Sequence, residues 1–78
     1  MIIWQLKENT DIYLIVSKNI RYYRKLCGIT QKELARRTGY SCAFIRRIEA
    51  PNCSKTFSIQ TIYLISRALN IDIKYFFE

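Results

Sequence analysis

Apolar side chains recur along this chain with the spacing of helices. Between Asp11 and Cys27 they stand at Ile12, Ile15, Val16, Ile20, Tyr23 and Cys27, a repeat of three or four positions that marks an amphipathic helix. Gly28 is its natural stop, and Ile29 turns the chain inward at the bend. Thr30 is placed to cap a second helix, with Glu33 three residues on to complete a capping box. Leu34 and Ala35 form the inward stripe, and Gly39 falls where the chain needs a positive φ. Ser41 caps a third helix, in which Phe44, Ile45 and Ile48 recur up to Glu49. Pro51 and Asn52 then open a loop over residues 50–57. Ser58 caps a fourth helix with Ile59, Ile62, Ile65 and Leu69 turned inward and Asn70 at its left-handed end. Asp72 caps a short fifth helix, and Ile71, Phe76 and Phe77 close the core. The expected fold is all-α, with five helices over residues 11–78, behind an N-terminal extension of residues 1–10. For Ile2, Ile3 and Trp4 in that extension three roles stand open: packing back on the domain, widening a subunit contact, or a frayed end.

The second and third helices are separated by one tight turn, and Ala35 lies where a steep crossing leaves no room for a larger side chain. The spacing Gln31, Ala35, Gly39, Ile45 therefore codes for a helix-turn-helix, with its second helix free to enter a DNA groove. Charge adds to this. The 78 residues carry a net charge of +7, and it is not spread evenly. Residues 18–55 hold ten basic side chains against Glu33 and Glu49, a local +8, whereas Lys7, Arg67 and Lys74 against Glu8, Asp11, Asp72 and Glu78 leave −1 for the rest. Such concentration suits a polyanion, because each neutralised phosphate releases condensed counterions.

Other classes are disfavoured. Cys27, Cys42 and Cys53 are odd in number, without metal-type spacing, and histidine is absent, so neither a metal site nor a disulfide framework is expected and a reducing cytoplasm is the natural setting. No apolar run approaches a membrane span. With two glycines there is no glycine-rich phosphate loop, and no histidine supports acid–base chemistry, so the chain does not read as an enzyme; no cofactor or small-molecule ligand is implied.

Arg24, the run Gly28-Ile29-Thr30-Gln31, Leu34-Ala35, Gly39, Ile45, Ile48-Glu49 and the tail SIQTIYLISRALNIDIKYFF resemble the phage-repressor (Xre/Cro-type) helix-turn-helix family over roughly residues 16–77. The resemblance implies that Arg24 pairs with Glu49, tying the first helix to the third. It also implies that Gln31, beside Thr30, grips a backbone phosphate and that Ser41 lies near the backbone. Bases are read in the family from the positions of Cys42, Ala43 and Arg47. Many relatives carry Gln or Asn at the first two of these; Cys42 and Ala43 are short and nearly apolar, so arginine must carry the readout. Arg47 suits a guanine, and Arg46 either a phosphate or a flanking base. Asn52 and Lys55, in a loop about two residues longer than in many relatives, are placed to touch the backbone. Lys32, Arg36 and Arg37 either approach phosphates or only solubilise. Tyr63, Leu64, Ile73 and Tyr75 leave more apolar surface than a small monomer needs, consistent with the two-fold dimers common in the family.

The leading expectation is a sequence-specific DNA-binding transcriptional regulator that binds a palindromic operator as a homodimer, a repressor by the usual habit of the family, although activation is equally compatible with these residues. The alternative is an antitoxin-like or anti-repressor interaction module, anchored through Ile2, Ile3 and Trp4, that binds DNA only for autoregulation.

Overall fold

The computed structural model describes residues 11–51 and 56–78. Four α-helices, α1 (Ile12–Leu26), α2 (Gln31–Thr38), α3 (Cys42–Glu49) and α4 (Ile59–Leu69), are followed by a 3-10 helix over Ile73–Phe77. Strands are absent among the described residues. Thr30, Ser41 and Ser58 cap their helices as expected, and Asp11, for which no cap was expected, does the same for α1: each accepts a hydrogen bond from a backbone N–H in the first turn. Their ends also follow the chain's punctuation, with Gly28 at φ +73°, Gly39 at +84° and Asn70 at +58°.

α2 packs on α3 and α4, while α1 lies against α3, α4 and the 3-10 helix. Between them sit Val16, Ile20, Leu34, Ala35, Ile45, Ile48, Ile62, Ile65, Leu69 and Phe76, all buried. Polar groups inside are satisfied. Ser17 Oγ donates to the Ile48 carbonyl at 2.6 Å, which partners one of the orphan carbonyls at the end of α3. Thr61 Oγ1 lies 3.0 Å from Tyr40 Oη and 3.1 Å from Ser58 Oγ. Asn19 Nδ2 donates to the Phe76 carbonyl at 2.8 Å and so fastens the C-terminal segment to α1.

Four expectations need correction. There are four α-helices rather than five: the last segment closes with an i→i+3 bond from Tyr75 N to the Asp72 carbonyl, because five residues are too few to repay an α-helical nucleus. Ile59 does not join the inward stripe of α4 but is 69 % exposed. The buried face centres on Thr61, Ile62, Ile65, Ser66 and Leu69, and Ile59 lies roughly a quarter-turn round from it. Phe77 is 39 % exposed, so Phe76 alone of that pair enters the core. The capping box at α2 is half formed. Glu33 N bonds to Thr30 Oγ1 at 3.0 Å, but the Glu33 carboxylate turns to Arg36 and Arg37, whose guanidinium groups compete for it. The proposed roles of residues 1–10, Asn52, Cys53 and Lys55 lie outside the described residues.

Candidate nucleic-acid interface

α3 splits cleanly into two faces. Ile45, Ile48 and Glu49 are buried, while Ser41, Ala43, Arg46 and Arg47 are exposed on the other side. Phe44 is half-buried and packs on Tyr40, ring centroids 4.7 Å apart. Cys42, expected to face outward, is half-buried against the core, with its Sγ 3.7 Å from a terminal nitrogen of Arg46. Cys42 thus packs at the edge of the core, leaving Ala43 and the two arginines as the outward surface.

What fixes α3 is a buried polar joint. Arg24 donates from Nε to Glu49 Oε2 at 2.7 Å and from a terminal nitrogen to Oε1 at 3.0 Å. A third donor, Gln31 Nε2, reaches the same Oε1 at 3.0 Å, and Arg24 also donates to the Ile29 carbonyl at 2.8 Å. One carboxylate thus joins α1, the start of α2 and the end of α3. The bidentate fork fixes orientation as well as distance. Gln31, expected to offer its amide to a phosphate, uses one of its two N–H donors here and keeps the other. The hydroxyls of Thr30 and Ser41 accept the capping bonds, and each retains an O–H donor on an exposed residue.

The remaining basic residues divide. Glu33 gathers Arg36, at 2.6 Å, and Arg37, at 2.9 Å. Hydrogen bonds from Arg36 and then Arg37 hold its carboxyl well below the usual range, lowered from 4.5 to about 2. Arg37 also donates to the Ala68 carbonyl at 3.1 Å, strapping α2 to α4. These two arginines are therefore engaged within the molecule. Arg47, Arg46 and Arg21 take part in no ion pair among the described residues. Arg21, to which the sequence reading gave no role, lines a hollow of about 380 Å³ together with Arg24, Gln31, Arg46, Glu49, Ala50 and Pro51. Its signal in the sequence was its position one turn before Arg24, on the same side of α1.

Among the described residues no cluster of histidine, cysteine or carboxylate side chains is grouped to hold a metal ion, and no helix is long and apolar enough to cross a membrane. The sequence matches the helix-turn-helix family over residues 20–76. Three solved structures share the fold. A hypothetical transcription factor, NHTF, from Neisseria is 22% identical with a TM-score of 0.80, covering 95% of this chain and 83% of that one. The clp gene regulator ClgR from C. glutamicum is 19% identical with a TM-score of 0.78, covering 87% and 86%. The restriction-modification controller protein C.AhdI from Aeromonas hydrophila is 22% identical with a TM-score of 0.75, covering 83% and 96%. At these identities the likeness is one of fold. No curated protein sequence matches.

Proposed function

This chain belongs to the Xre-type helix-turn-helix family of DNA-binding transcriptional regulators, and on that premise we propose that it reads a palindromic operator as a homodimer and represses by occlusion. The observation that carries the reading is the exposed face of α3. Two arginines without a carboxylate partner among the described residues project from a helix whose other face is locked into the core by Arg24 and Glu49. In the proposed complex α3 lies in the major groove, and Arg47 donates in bidentate fashion to guanine O6 and N7. Ala43 faces a thymine methyl, and Cys42, half-buried against the core, contributes less to reading a base. Thr30, Gln31 and Ser41 donate to phosphates from the starts of α2 and α3, with Asn52 and Lys55 beyond them.

Dimerisation is supported by the apolar side chains left outside the core. Ile12, Ile59, Tyr63, Tyr75 and Phe77 are between 39 % and 69 % exposed, the kind of surface that a second copy covers. In a two-fold dimer the recognition helices enter successive grooves about 34 Å apart. Selection of bound sequences from random duplexes, at two salt concentrations, tests the proposal. A symmetric site with half-sites one helical turn apart is the expected outcome. Recovery of unenriched sequences would show that binding is electrostatic only, and a site without symmetry would remove the dimer.

A further inference from the structure

We infer that Arg21 of α1 and Arg46 of α3 form a two-arginine clamp for one phosphodiester of the DNA backbone, with the Arg24–Glu49 pair and the Gln31 amide as its floor. The inference rests on the proposed DNA binding and assigns a site to a helix outside the helix-turn-helix. Both arginines line the same hollow, of about 380 Å³, and both are exposed. Three arginines line it, Arg21, Arg24 and Arg46, against the single carboxylate of Glu49. Three minus one leaves two positive charges unmatched. The carboxylate oxygens are already taken by Arg24 and Gln31, so Glu49 has little to offer the arginines of the wall. Like charges brought to one hollow repel until an anion enters, and a guanidinium fork matches a phosphate with two parallel donors.

Position selects the anion. The hollow lies at the last turn of α3, where Arg46 and Glu49 line it, with Gln31 at the start of α2 and Pro51 just past the end of α3 also on its rim. A helix lying in a major groove about 12 Å wide is flanked by the phosphate strands that form its walls. A site at the last turn of α3, shared with α1 and the start of α2, therefore meets backbone rather than base. Arg46 is thereby assigned to phosphate, and base readout is left to Arg47. Such a contact fixes register without carrying sequence information.

The test measures binding of the full chain to a random-sequence duplex across a salt series for wild type, Arg21→Ala, Arg46→Ala and the double variant. Neither side chain is buried or ion-paired among the described residues, so all four proteins should melt alike. Each single variant should have a shallower salt dependence than wild type, and the double variant should lose about 0.9 in slope per subunit, about 1.8 for the bound dimer, one phosphate's worth at each of two clamps. Between 50 and 200 mM salt its affinity would then fall about 12-fold less than that of wild type. An Arg21→Ala slope equal to wild type overturns the clamp. A loss of about 3.6 per dimer in the double variant means two separate phosphates on each subunit, which also overturns it. Failure of wild type to bind any duplex removes the proposed function as well, whereas wild-type binding with unchanged variants removes the clamp alone.

Discussion

Replacing Glu49 by alanine tests the joint on which the position of α3 depends. The side chains of Arg24 and Glu49 are 10 % and 2 % exposed, and the carboxylate accepts three donors at 2.7 to 3.0 Å. Removing one member of a buried pair costs about 3–5 kcal/mol, mostly because the other charge is left without a partner. Two features put this case at the low end. Arg24 keeps its bond to the Ile29 carbonyl, and it borders a hollow through which water can reach it. A loss of about 3 kcal/mol in a domain of this size lowers the melting temperature by roughly 12–24 °C, a large share of the ~5–15 kcal/mol that keeps such a domain folded. Thermal melts followed by circular dichroism measure this directly. Arg24→Ala and the double variant complete a cycle in which the double loss should fall short of the sum by at least ~1 kcal/mol. Glu49→Ala melting within two or three degrees of wild type, or a cycle with no coupling, would refute the reasoning and leave α3 held by its apolar face alone.

Gly39→Ala isolates a backbone effect, since an added Cβ would meet nothing within 4 Å but φ is +84°; about 1–2 kcal/mol should be lost, and unchanged denaturant stability would contradict this. Glu33 should titrate near 2 rather than 4.5 when its carboxyl carbon is followed by NMR, and Arg36→Ala should move the midpoint upward. Because the folded value lies below the ordinary one, the stabilisation from this triad is complete above pH 4.5 and is lost as the pH falls towards 2; a midpoint at the ordinary value would mean that the two arginines point into solvent. Arg47→Ala should cost about 1–3 kcal/mol on the selected duplex and relax one base position, while equal losses on selected and random duplexes would deny it a reading role.

Much of this architecture is local chemistry and can be read without coordinates. A hydroxyl or carboxylate before each α-helix takes up orphan N–H groups, and Gly28, Gly39 and Asn70 tolerate the positive φ at which the chain must turn. Leu34, Ala35, Ile45, Ile48, Ile62, Ile65 and Leu69 repeat at the helical period, so they had to share an interior. The spacing from Gln31 to Ile45 then allowed a single arrangement for the two middle helices. Errors came where one pattern permits two environments. Ile59 fits the period of α4 yet sits at its rim, because how far a buried face extends depends on what is packed against it. Cys42 fits the outer face of α3, but it stands near enough to the core to be half-buried against it. Glu33 suits a capping box, and the guanidinium groups one turn on outcompete the backbone for its carboxylate. Apart from the one-turn spacing of Arg21 from Arg24, the gathering of Arg21, Gln31, Arg46 and Pro51 around one hollow had no local signature, for these residues stand up to 30 positions apart in the chain. Sequence determined where each helix begins, ends and turns its apolar side, because those choices involve neighbours within one or two turns. Which charges meet across helices was decided by tertiary packing, because electrostatic partners are selected by distance in space.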